Sequence, residues 1–214
     1  MSQTSLFLDT NIYLGYALDR RFEKYYFQCC HVFNKAGLSR NTSITVRGEL
    51  NKKLGERKRL YRDLLKHCLS GKQLKQFSIK KLDKNERNHA EDVIAQSHKD
   101  GKSDVEYVRS LDRMFFSRVN DALLKKTSQP LVSCSDDAYM KSDFGLMGIH
   151  APDDCILADF FSWALLSKGS SFLTGDNKLH DSRSKILRNV QDRKMIDCSH
   201  LAIEHISDAI RNYP

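Results

Sequence analysis

The chain has 214 residues, 40% of them hydrophobic and 29% charged, with only 10 glycines and 3 prolines. This composition excludes a mostly disordered chain, and the length suits one large domain, or one domain with an elaboration, rather than two equal ones. Lys and Arg number 35 against 27 Asp and Glu, a formal charge of +8 that favours an anionic partner without identifying it.

From the N-terminus, Met1 to Asn11 shows no basic start followed by a long apolar stretch, and no window nears ~18 uninterrupted apolar residues. A cytoplasmic protein with no membrane partner is expected. Ser5 to Asp9 reads as a short strand ending in an acid, and Thr10 or Asn11 can cap a helix carrying Ile12, Leu14 and Tyr16. Apolar spacing predicts a second helix over 20 to 36, stopped by Gly37, then an extended segment over 38 to 44. A long helix follows from Thr45 to about Leu69.

Residues 70 to 129 are polar, with helices expected at 84 to 98 and 104 to 126, and read as a helical insertion within the domain. Pro130 is expected to open a strand over Leu131 to Cys134, with a loop-rich stretch after it. Pro152 starts the most apolar helix, and Ser171 to Thr174 reads as a buried strand closing on Gly175 and Asp176. A short helix around 178 to 189, a strand near 195 to 198 and a terminal helix over 201 to 210 complete the pattern. The alternation predicts an α/β fold whose mainly parallel sheet is flanked by helices. Six cysteines without a CxxC pair indicate neither a zinc site nor a disulfide framework.

Four segments place carboxylates at a strand end or near a helix start: Asp9, Glu49, the adjacent pair Asp153 and Asp154, and Asp176. Taken singly, each has an ordinary reading. An aspartate there caps a helix or complements its dipole, and Glu49 alone is a surface residue. Carboxylate oxygens are the hard donors that Mg2+ or Mn2+ prefer.

In order and setting, these segments resemble the PIN-domain nucleases. The resemblance implies a three-layer fold and a metal-dependent endoribonuclease, a hydrolase in which Asp9, Asp154 and Asp176 are metal ligands and Glu49 holds a metal-bound water or a second ion. Asn11 matches the family's polar helper, and Thr174 the hydroxyl before the last acid. Asp154-Cys-Ile-Leu-Ala158 fits the family helix better than a frame starting at Asp153, so Asp153 is expected to cap that helix. Asp159 reads either as an outer-shell carboxylate or as a solvated helix position. The 70 to 129 segment matches no family feature; it can serve a folded RNA, an antitoxin or other protein partner, or a homodimer contact.

Between Arg47 and Lys75 the chain is strongly basic, and Lys52, Lys53, Arg57 and Arg59 are the first candidates for phosphate contacts. Tyr61 can stack on a base, although its spacing from Leu64 and Leu65 also suits packing. Three other readings stand beside the ribonuclease: a structure-specific DNA nuclease, a catalytically idle nucleic-acid-binding module, and a haloacid-dehalogenase phosphatase. The last needs a second acid where this chain has Asn11.

Overall fold

The computed structural model describes residues 4–18, 21–80, 82–99, 101–166, 170–195 and 197–214. A four-stranded, all-parallel sheet has the order β2-β1-β3-β4, built from β1 (Thr4–Leu8), β2 (Leu38–Asn41), β3 (Ser170–Thr174) and β4 (Ala202–His205). Leu6, Phe7 and Leu8 are fully buried in succession. Since successive side chains point to opposite faces of a sheet, helices cover β1 on both sides.

The chain leaves β1 for β2 on one side, whereas β3 and β4 lie on the other. The strand order therefore reverses between β1 and β3, which pair in register from Ser5 with Ser170 to Leu8 with Leu173. In open parallel sheets, that reversal opens a crevice at the carboxyl ends of the two strands.

The crossovers are helical. Here α1 (Thr10–Ala17) and α2 (Tyr26–Asn34) join β1 to β2, and α3 (Ile44–Leu69) leaves β2 with Ser43 capping Val46 N–H. Gly37 at φ 80° turns the chain out of α2, a left-handed conformation that favours glycine. The polar stretch after α3 carries α4 (Lys84–Gln96) and α5 (Asp104–Lys125), close to the expected helix bounds. Their apolar faces join the distal half of α3 in a second core around Leu60, Tyr61, Leu64, Val93, Tyr107, Leu111 and Phe115. The main core lies around the sheet and includes Phe7, Phe160, Phe161 and Phe172.

Five expectations are corrected. Residues 131 to 134 form no strand; Val132 makes only an isolated bridge to Ser43 before the chain veers to bring Ser135 N–H onto Asp159 Oδ1 at 2.6 Å. The expected loop contains α6 (Ala138–Leu146), nucleated by Asp137, whose carboxylate accepts from Met140 N–H. The expected 178 to 189 helix is two, α8 (Asn177–Asp181) and α9 (Arg183–Lys194), split at Ser182. Near the end, Met195 is a left-handed helix cap and Asp197 and Cys198 are not in a strand, while Ile196 lies outside the described residues. The last strand is instead β4, with Ile203 and His205 buried beside β3, and only α10 (Ala209–Asn212) and a single 3-10 turn follow it.

No helix among the described residues is long and apolar enough to cross a membrane.

Candidate metal centre at the strand ends

Asp9 follows the buried run of β1 and is itself only 3% exposed. One carboxylate oxygen caps α1 by accepting Thr10 N–H at 2.6 Å. The other accepts from Asn11 Nδ2 at 2.6 Å and from the Thr174 hydroxyl at 2.7 Å. Burial pushes its pKa up to about 7; the Thr174 hydroxyl and Thr10 N–H act against this, and the charges of Asp153 and Glu49 add to it.

Asn11 and Thr174 join the two strand ends. The Thr174 hydroxyl donates to Asp9 and accepts from Asn11 Nδ2 at 3.1 Å and from Asp176 N–H at 3.0 Å, which uses its full hydrogen-bonding capacity. Asn11 Oδ1 accepts Gly175 N–H at 2.7 Å. A Cβ on Gly175 would meet that oxygen at 3.2 Å, so glycine permits the close approach. The position where a phosphatase would need an acid is thus an amide that uses both its donor and its acceptor.

Asp176 caps α8, one oxygen accepting Lys178 N–H at 2.6 Å and Leu179 N–H at 3.1 Å. Both strand-end aspartates are therefore helix caps, and capping alone accounts for part of their bonding. Glu49, in the second turn of α3, accepts from the Thr10 hydroxyl. That contact brings the α3 acid to the head of α1, one residue from Asp9.

The start of α7 (Asp153–Ala164) distinguishes its two aspartates. Pro152 is the N-cap residue and no side chain caps the helix, so the expected capping role of Asp153 is not observed. Burial pushes the Asp153 pKa up to about 6, with repulsion from Asp176, Glu49 and Asp154 adding to it and Lys178 opposing. Asp154 Oδ1 accepts Cys155 N–H at 2.6 Å, while the charges that add to the shift of Asp9 are those of Asp153 and Glu49. Asp153 thus shares a field with Asp9, Glu49 and Asp176, and with Asp154 beside it, which makes it a candidate ligand alongside Asp154.

Asp159 is fully buried, which overturns the solvated reading. Its Oδ2 has no hydrogen-bond partner among the described residues, and its charge bears on Cys155. Sequence reasoning missed Thr10 and Lys178. Thr10 had read only as a cap, and nothing distinguished Lys178 from other surface lysines.

These carboxylates influence one another without closing on a point. Among the described residues, no three His, Cys, Asp or Glu side chains converge closely enough to hold a metal ion. The donor chemistry still fits a hard divalent cation, because the four acids are oxygen ligands, and Lys178 opposes the rise in the Asp153 pKa.

Along α3, Lys52 and Arg59 face solvent and Lys53 pairs with Glu56 at 3.3 Å. Arg57 turns inward, 6.0 Å from the Tyr61 ring and 5.9 Å from that of Phe115, with burial lowering its pKa. Tyr61 is 2% exposed and its hydroxyl lies 3.0 Å from His89 Nε2, so it packs and cannot stack on a base.

Comparisons with protein-family models, with curated proteins and with solved structures found no match.

Proposed function

We propose that this chain is a PIN-like, divalent-metal-dependent endoribonuclease with a three-layer fold. The observation that carries the reading is the shared field of Asp9, Glu49, Asp153 and Asp176 at the strand-order reversal of a parallel sheet. Gathering like charges costs stability, and a bound cation offsets that cost. Burial is the main cause of the raised Asp9 and Asp153 pKa values, and repulsion among the acids adds to it.

Asp9, Asp153 and Asp176 would hold Mg2+ or Mn2+, with Glu49 on a metal-bound water or a second ion; Asp154 is the alternative to Asp153. Such a cation lowers the pKa of a bound water and neutralises charge on a phosphodiester transition state. The chain's own contribution is orientation. Asn11, Thr174 and Thr10 N–H fix the Asp9 carboxylate, and the Thr10 hydroxyl fixes Glu49.

A cleavage panel of tRNA, rRNA, single-stranded RNA and DNA, with Mg2+ or Mn2+ and mapping of the cut ends, tests the proposal. RNA cut only with metal supports it. DNA cut in preference to every RNA supports the DNA-nuclease reading instead, and binding without cleavage supports the idle module.

A further inference from the structure

The insertion helix α5 packs beside α3, and between their exposed edges lies a groove of about 350 Å3. This is within the range of sites that take small ligands, roughly 300–1,000 Å3. Lys58, Arg59 and Arg62 of α3 and Arg109 of α5 line it over a floor that includes Leu65 and Val108, with Asp112 the one acid in the lining. All four cations are exposed. Asp112 lies in the field of Lys58, and Arg62 reaches Asp63 at 3.8 Å with both side chains in solvent, a geometry that contributes little. Arg59 and Arg109 have no ion-pair partner among the described residues.

We propose that this groove seats one nucleotide of single-stranded RNA, its base on the apolar floor and between guanidinium planes, its flanking phosphates on Arg59, Arg62 and Arg109. A cationic groove with an apolar floor suits a base joined to phosphates, and guanidinium groups both stack on bases and bind phosphate. The groove also connects to the acidic cluster. Arg59 lies ten residues after Glu49 on α3, about 15 Å along the axis at the α-helical rise of ~1.5 Å per residue, and Lys52 and Gly55 occupy the exposed surface between. At Gly55 an added Cβ meets nothing within 4 Å, so packing does not require that glycine although it weakens the helix. The insertion thereby acquires a function: Arg109 extends the substrate path beyond the sheet. The substrate class rests on the nuclease reading.

The test is fluorescence anisotropy of a labelled single-stranded oligoribonucleotide with the whole chain in chelator, at several salt concentrations. Arg59→Ala/Arg109→Ala is expected to weaken binding at least tenfold and to reduce the slope of log affinity against log salt, whereas Lys185→Ala on α9 leaves both unchanged. A strand of the same length carrying abasic sites is expected to bind wild type more weakly, and this difference shrinks in the double variant. Wild-type binding by the double variant overturns the groove, even where metal-dependent cleavage is intact. Equal affinity for polyglutamate and RNA overturns it in favour of an acidic protein partner. Loss of binding in the double variant, in a protein that cuts no RNA with any metal, leaves the groove standing and removes only the nuclease reading.

Discussion

The Thr174 hydroxyl donates to Asp9 Oδ2 at 2.7 Å, joining the carboxyl ends of the adjacent strands β3 and β1 across 165 residues of sequence. The same oxygen accepts from Asn11 and from Asp176 N–H, so one hydroxyl holds both strand-end aspartates in place. Thr174→Val keeps the shape and removes all three bonds, leaving buried polar groups unsatisfied. Urea denaturation should show a loss of about 1–3 kcal/mol, with Thr174→Ser near wild type. An unchanged midpoint for the valine variant contradicts this role.

The raised pKa of Asp9 fixes the sign of a pH effect. Its folded pKa of about 7 lies above the ordinary 3.8, so the native state binds the proton more tightly than the unfolded chain. Its contribution is fully present below about pH 4 and is lost as pH rises through 7. At ~1.4 kcal/mol per unit, this approaches ~4 kcal/mol for the buried group. Asp153 acts in the same direction up to about pH 6. Denaturation in chelator should therefore show a component that falls between pH 4 and 7 in wild type and is mostly missing in Asp9→Asn. An equal pH profile for the two proteins removes Asp9 as its source.

The adjacent aspartates of α7 make separable predictions. Asp153→Asn removes a charge from the field of Asp9, Glu49 and Asp176, so the chelated protein should melt higher and the upward shift on adding Mg2+ should shrink. Asp154→Asn should retain most of that shift. Thermal melts of both variants with chelator and with Mg2+ decide the matter. The reverse pattern makes Asp154 the ligand, as the sequence frame had suggested.

That pair marks where the sequence was legible and where it stopped. The strand-end acids could be read because an apolar run followed by Asp needs no tertiary information. The choice between Asp153 and Asp154 depends on the rotation of α7 against β3, which neighbouring residues do not encode. Likewise α3 was clear from its apolar spacing, but Arg57 turns inward over Tyr61 and over Phe115 of α5, a partner that the local spacing does not announce. β4 was mistaken for a helix because four residues of alternating burial are too short to outweigh the helical signal after them. The α6 helix was hidden by Gly145 and Gly148, although Asp137 three residues before Met140 was a readable cap.

Arg57 yields its own prediction. Arg57→Met keeps much of the packing on Tyr61 and Phe115 and should leave the salt dependence of RNA binding near wild type. Lys52→Glu/Arg59→Glu should flatten it, because those side chains are exposed to phosphate. Equal flattening by both variants would return Arg57 to the binding surface.

The most direct measurement is cleavage of single-stranded RNA by wild type and Asp9→Asn purified side by side, each with Mg2+, with Mn2+ and with excess chelator. The account predicts cutting by wild type only when metal is present, and a loss of at least a hundredfold in Asp9→Asn while its circular dichroism spectrum is retained. Cleavage by wild type that persists in chelator, or equal rates for the two proteins, would contradict it.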